Sequence, residues 1–213
     1  MQSQAIVFAA SGRVETRSIA MPTPEPGEVQ VRTRYSLMSS GTEGWVLQQC
    51  FTWATIPFPC VPGYQRVGEI IAVGEGVTRL HPGERVVATN GHWSGDALPN
   101  RGAHIALANT LATEIYTLPA AVDDIDASGV VVAQVGYNAA SRVALHAGDW
   151  VVVYGDGLIR QCAAQALRAR QARVILVGHR QERLTLAKAV STDAAVVNTH
   201  RDALQALERE NNE

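Results

Sequence analysis

Positive charge is not in surplus in this chain: 18 lysines and arginines stand against 20 aspartates and glutamates, a formal net charge of -2. Without a basic face there is little to attract a polyanion, so nucleic acid is not an expected partner. Cysteine is scarce as well. Cys50, Cys60 and Cys162 are odd in number and far apart, which argues against a disulfide framework and against the close spacings of structural zinc. Each reads most simply as a small buried hydrophobe. Long apolar runs are missing: Arg13 and Glu15 interrupt the amino-terminal MQSQAIVFAASGRVE before it reaches signal length, and nothing elsewhere approaches a membrane span. These absences lead to the expectation of a cytoplasmic protein that avoids nucleic acid and membrane. It takes a small-molecule substrate and admits a homodimer.

What the chain does have is apolar side chain. Its 213 residues are 46% hydrophobic and 18% charged, enough to bury cores in two domains. The first part, to about Leu118, is β-rich. Ala5 to Phe8 and the alternating Val29-x-Val31-x-Thr33-x-Tyr35 read as strands, parted by a loop with Pro22, Pro24, Pro26 and Gly27. Val67 to Val73 and Arg85 to Ala88 continue the pattern between turns at Gly74-Glu75-Gly76 and Pro82-Gly83, which suggests a compact barrel or sandwich. From Val122 the texture changes. Asp123 and Asp124 precede an alanine- and valine-rich helical stretch to about His146, after which strand and helix alternate. The expected domains are 1–122 and 123–213.

The stretch from Trp150 to Arg180 reads as a nucleotide-binding βαβ unit. An apolar strand, Trp150 to Tyr154, feeds Gly155-Asp156-Gly157; a helix follows with Ile159, Ala163, Ala166, Leu167 and Arg170 at helical spacing, then a second buried strand from Val174 to Val177. Gly155 allows the tight turn and Gly157 the close approach of a pyrophosphate, to which the free amides of Leu158 and Ile159 offer donors at the helix N-terminus. The third glycine of the fingerprint is replaced by Arg160, which must swing outward or force the helix away from the sheet. A plain βα turn is the competing reading. Beyond it come a helix, Gln181 to Val190, a strand, Ala194 to Val197, and a charged helix from Arg201. Only three strands of a doubly wound sheet are legible, so the expectation is a C-terminally truncated dinucleotide domain.

A β-rich first domain followed by this unit resembles the medium-chain dehydrogenase/reductase superfamily, which includes the zinc alcohol dehydrogenases. The resemblance covers the whole chain. Beside the glycine fingerprint it rests on Ser40-Gly41-Thr42-Glu43, Pro62-Gly63-Tyr64-Gln65-x-x-Gly68, Gly83-Glu84-Arg85-Val86 and Gly148-Asp149-Trp150-Val151, in family order and spacing. It implies an α/β protein: a GroES-like barrel as catalytic domain, then a partial Rossmann doubly wound parallel sheet. Zinc members carry a Cys at the position of Ser40, a His at that of Tyr64 and a Cys or Glu near Val131, so the resemblance implies a zinc-lacking branch with no metal bound. The four-cysteine structural lobe is missing too. Ser39 to Glu43, with Pro57-Phe58-Pro59 leading into Pro62-Gly63-Tyr64, is similar to a subgroup that includes hydroxyethyl-bacteriochlorophyllide dehydrogenases.

By the same resemblance Thr42 hydrogen-bonds the substrate oxygen and Tyr64 points into the cleft, either polarising a carbonyl in place of zinc or filling the vacated volume. Ser40, also in the catalytic set, reads as a local backbone hydrogen-bonder. His92 and Trp93 follow a strand where relatives keep substrate-pocket residues, against the plain reading of His92 as a solvated loop residue. Gln134, Tyr137 and Asn138, on the helix leading to the cofactor strand, read as core or boundary packing residues, with approach to the nicotinamide face as the alternative, and His104, His146 and His200 give no pattern. For the cofactor, NAD-binding relatives end the second strand with an acidic residue on the ribose. This chain has Gly178-His179-Arg180 there, similar to the Gly-Ser-Arg of NADP-specific relatives. The implied activity is zinc-independent, NADP(H)-dependent hydride transfer on an alcohol/carbonyl pair. An enone or quinone reductase and a non-catalytic nucleotide-binding remnant stay open as alternatives.

Overall fold

The computed structural model describes residues 1–198, so His200 and the helix expected from Arg201 lie outside the described residues. The chain divides into two units, Met1–Val130 and one beginning at Val131. The first runs through β1 (Gln2–Ala10), β2 (Arg13–Ala20), β3 (Glu28–Ser36), α1 (Ser40–Gln48), β4 (Cys60–Val61), β5 (Arg66–Val73), β6 (Arg85–Ala88), β7 (Leu98–Pro99), β8 (Leu107–Leu111), β9 (Ile115–Thr117) and α2 (Asp124–Ser128). These strands form two sheets, ordered β2-β1-β4-β7 and β8-β3-β5-β6-β9.

Alternation decides which side chains enter the core. Ser3, Ala5 and Val7 of β1 are buried while Gln2 and Gln4 are exposed, and Val7 joins Ile19, Met21, Val61, Trp93 and Leu107 in one apolar cluster. Val29 and Val31 of β3 meet Ile70, Leu80, Val86 and Ile115 in a second. β2 is a sheet edge, and it carries charge there: Glu15 pairs with Arg17 and, at 3.3 Å, with Arg13, which discourages a further strand from adding. Between β3 and β5 the register slips. Thr33 faces Gly68 and Tyr35 faces Val67, so Arg34 is the extra residue of a bulge. At that place the backbones close in: a Cβ on Gly68 would lie 2.1 Å from the Arg32 carbonyl oxygen.

The first unit extends past the boundary expected at residue 122. α2 belongs to it because Asp124 is clamped by Arg85 (Nε to Oδ1, 2.8 Å) and Arg34 (Nη1 to Oδ2, 3.1 Å), while Arg85 also donates to the Val122 carbonyl at 2.7 Å. The helical stretch expected to run unbroken to His146 is interrupted at Gly129, the C-cap of α2, and its second part, α3 (Val130–Ser141), stops short of His146.

The second unit continues with β10 (Trp150–Tyr154), α4 (Leu158–Ala169), β11 (Arg173–Gly178), α5 (Gln181–Val190) and β12 (Ala194–Val197). Its three strands are parallel, ordered β10-β11-β12, with Trp150 opposite Arg173 and Gly178 opposite Val197. Burial is one-sided, so the apolar run Trp150 to Tyr154, paired in the sequence reading with a second buried strand, is covered on one face only. Val153 packs into the cluster holding Ala164 and Leu167 and into that holding Leu184 and Ala187, so α4 and α5 cover the same face. Trp150, Val152 and Tyr154 alternate onto the other face and are exposed, with the Arg173 guanidinium 4.0 Å above the Trp150 ring.

Candidate functional site

α1 begins without a side-chain cap from Ser39. Instead Glu43 reaches back and its Oε1 accepts the Ser39 N–H at 2.8 Å, which places a carboxylate near the positive end of the helix. The other oxygen, Oε2, lies 2.7 Å from Nε2 of His104, and Nδ1 of His104 lies 2.9 Å from the Ser36 hydroxyl. Both side chains of the Glu43–His104 pair are almost fully buried. With Glu43 a carboxylate, Nε2 carries the proton and Nδ1 accepts from Ser36.

His104 holds a second element too. Its backbone N–H donates to the Pro62 carbonyl at 3.1 Å and that of Ala103 to the Gly63 carbonyl at 3.0 Å. Gly63 has φ +93°, and a Cβ there would sit 2.8 Å from Cδ2 and Nε2 of the imidazole. The turn that carries Tyr64 is therefore pressed onto the ring whose Nε2 holds α1, the helix of Ser40 and Thr42. His104, which shows no pattern in the sequence, is the common anchor of both segments. Glu43 and His104 stand 61 positions apart in sequence with β4 to β7 between them, so no local signal could have paired them.

Thr42 and Ser40 are exposed on α1 and Tyr64 is half-buried in its turn. None of the three side chains makes a hydrogen bond among the described residues. Two residues on, Arg66 is fully buried, its Nη2 facing the Asn90 carbonyl and the Thr110 hydroxyl, and burial pushes its guanidinium down to about 10.

Other candidates have different places. His92 is not a free loop residue: its Nδ1 lies 3.3 Å from Glu28 and its Nε2 3.7 Å from Glu114. Trp93 is core, with Nε1 donating to the Ala97 carbonyl at 2.8 Å. Gln134, Tyr137 and Asn138, read as packing residues, are exposed on α3. Of the cysteines only Cys60 is buried, which pushes its thiol up to about 11; Cys162 is partly buried and Cys50 is exposed just after the C-cap of α1. Val131 lies on α3. Among the described residues no group of three or more His, Cys, Asp or Glu could hold a metal ion.

In the second unit the structure gathers all the residues expected at the cofactor. Gly155, with φ +101°, turns the chain out of β10 and donates its N–H to the Val177 carbonyl at 2.7 Å, which joins the glycine loop to the end of β11. Gly157 is the N-cap of α4; no side chain caps the helix, so the first-turn amides of Leu158 and Ile159 keep their donors for a ligand. Nothing lies within 4 Å of where a Gly157 Cβ would be. Arg160 folds back over Gly155, with Nε 3.3 Å from the position of an added Cβ, so the helix stays seated and the side chain swings out. Gly178, His179 and Arg180 end β11 beside them. One residue there had no role in the sequence reading: Asp156, whose Oδ2 accepts the N–H of His179 at 2.8 Å and of Arg180 at 2.7 Å. The Arg180 amide above all, then that of His179 and the charges of Arg183 and Arg180, hold its carboxyl below the usual range against the opposing effect of burial.

Residues 25–113 match the alcohol dehydrogenase GroES-like domain. Over 97% of its length the chain is 28% identical to an alcohol dehydrogenase of Moraxella sp. (strain TAE123), covering 66% of that protein. The chain belongs to the medium-chain dehydrogenase/reductase superfamily. Another member similar to it is the chloroplastic quinone-oxidoreductase QR1 of Triphysaria versicolor, 28% identical over 64% of this chain and 40% of that protein. A structure described as a short chain alcohol dehydrogenase of E. coli CFT073, solved with NADH, shares the fold with a TM-score of 0.84 at 23% identity, over 99% of this chain and 66% of that one. The chain spans 66%, 56% and 52% of the length of three curated relatives, two alcohol dehydrogenases and a sorbitol dehydrogenase. Among the described residues no helix is long and apolar enough to cross a membrane.

Proposed function

We propose that this superfamily member is an oxidoreductase that moves a hydride between NADP(H) and an alcohol/carbonyl pair, with side-chain hydroxyls and no zinc at the reacting oxygen. What supports the reading is the shared anchor: the helix of Thr42 and the turn of Tyr64 are both fixed on His104, and neither hydroxyl is spent on an internal hydrogen bond. Preorganised donors of this kind stabilise charge that builds on a carbonyl oxygen. Ser40, expected to bond locally to the backbone, makes no such side-chain hydrogen bond among the described residues and stands exposed in the first turn of the same helix.

The second unit fits a dinucleotide. The uncapped N-terminus of α4 and the open space at Gly157 suit a pyrophosphate, held by the amides of Leu158 and Ile159. A nicotinamide dinucleotide bound there supplies or accepts the hydride. Gly178-His179-Arg180 supports NADP(H) over NAD(H), because Arg180 can form charge-assisted bonds to a 2′-phosphate. Such bonds contribute about 1.5–3 kcal/mol, so Arg180→Ala is expected to weaken NADPH on the order of tenfold to a hundredfold and leave NADH little changed. Nicotinamide fluorescence titration checks this, and equal weakening of both cofactors would count against the assignment.

The positions that hold zinc in zinc-type relatives carry Ser40, Tyr64 and Val131 here, and two neutral hydroxyls with a valine do not make a tetrahedral zinc site. Turnover is therefore expected to survive a strong chelator. About one zinc per chain after dialysis, found by elemental analysis, would reverse this part of the proposal.

The likeness to a quinone oxidoreductase favours one second reading, reduction of an enone or quinone by the same hydroxyls. NADPH oxidation measured against a panel of ketones, enones and quinones separates the two.

A further inference from the structure

Gly178 ends β11 without a side chain, yet the space a side chain would fill is taken. A Cβ built on Gly178 would lie 2.6 Å from Cβ and 2.8 Å from Oδ2 of Asp156. The carboxylate reaches this slot from the glycine loop and is held by two consecutive amides of the β11–α5 turn, His179 at 2.8 Å and Arg180 at 2.7 Å. Arg183, in the first turn of α5, faces the other oxygen at 3.5 Å. Asp156 is largely buried in this cradle.

An anion seated on successive backbone amides beside a glycine gap and arginines occupies the kind of place that a ribose 2′-phosphate needs. We infer that Asp156 is a second determinant of cofactor selectivity: its carboxylate stands in the 2′-phosphate position, accepts from a ribose hydroxyl and repels the phosphate. This rests on the nicotinamide dinucleotide reading above. Arg180 draws the phosphate and Asp156 opposes it, so the preference of the parent protein is a balance between them. A carboxylate at the end of the second strand commonly plays this part in dinucleotide folds. Here the group in that place comes from the glycine loop.

Asp156→Asn separates charge from shape, since the amide oxygen can still accept from both backbone N–H groups. NADPH and NADH affinities of the full chain are measured by fluorescence titration for parent and variant, with thermal melting to follow folding. The expected result is a shift of the NADPH-to-NADH affinity ratio by at least tenfold toward NADPH, with NADH unchanged or weaker. If the asparagine variant does not fold, Asp156→Ser removes the same charge with a shorter acceptor and carries the same expectation. An unchanged ratio in a folded variant overturns the inference and leaves Asp156 a clamp of the turn. Failure of the parent to bind either cofactor overturns the dinucleotide reading and this inference with it.

Discussion

Tyr64→Phe is expected to slow hydride transfer about a hundredfold or more, and Thr42→Val by a similar factor, with cofactor affinity nearly unchanged. Both substitutions remove one oxygen and little else. Tyr64 is half-buried, and Phe keeps its ring; Thr42 is exposed on α1, and Val keeps its shape. Neither hydroxyl has a partner among the described residues, so folding loses no internal hydrogen bond. The glycine loop proposed to hold the cofactor belongs to the second unit, so binding is expected to hold while turnover falls. Single-turnover measurement of nicotinamide absorbance separates chemistry from binding. A Tyr64→Phe protein that turns over at the parent rate would show that the tyrosine only fills volume.

Gly68→Ala is expected to cost about 4 kcal/mol or more and leave the first unit largely unfolded. The added methyl would stand 2.1 Å from the Arg32 carbonyl oxygen and 2.9 Å from Cγ1 of Val31, in a pair of strands inside the five-stranded sheet. Relief would require β3 and β5 to part at the bulge. Gly157→Ala makes the contrast: nothing lies within 4 Å and the backbone has φ -74°, so stability should change by roughly 0.5 kcal/mol or less. Urea denaturation of both variants beside the parent tests the pair. A Gly68→Ala protein as stable as the parent would mean that the strands do not approach as described.

Much of the fold was legible because the patterns were local. The period-two run of β3 and the strand, turn and helix around Gly155 each carry their own signal, and the ranges 85–88, 181–190 and 194–197 agree with the structure at both ends. β2 escaped notice because an edge strand of sequence RVETRSIA puts charge where a half-buried strand would show apolar alternation. α1 escaped because SGTEGWVLQ holds two glycines and buries only Glu43 and Val46. The domain boundary moved because Asp124 is clamped by arginines distant in sequence, a contact that composition does not reveal.

The candidate site divides in the same way. Glycine positions and the Thr42 and Tyr64 motifs could be named from the chain, since each motif is contiguous. What holds them could not. His104 meets Glu43 across 61 positions and Asp156 meets Arg180 across 24, and both links are made by tertiary packing alone. Trp93 had the neighbourhood of a pocket residue and became core because Gly91 and Gly102 leave room for its ring.

The anchoring of α1 and the Tyr64 turn on one imidazole has an evolutionary consequence. From the last turns of α1 into the connection between them runs an aromatic row, Trp45 and Trp53 exposed on either side of Phe51, whose ring centroid lies 5.6 Å from that of Trp45 and 5.0 Å from that of Trp53. Because α1 and the Tyr64 turn are registered through His104, the exposed Trp53 can be exchanged while both keep their places; Phe51, Ile56 and Phe58 pack on Phe8, Val46 and Cys60 and are not exchanged so freely. The outer surface of the connection and the anchored pair can thus vary separately, and drift in one need not be repaired in the other.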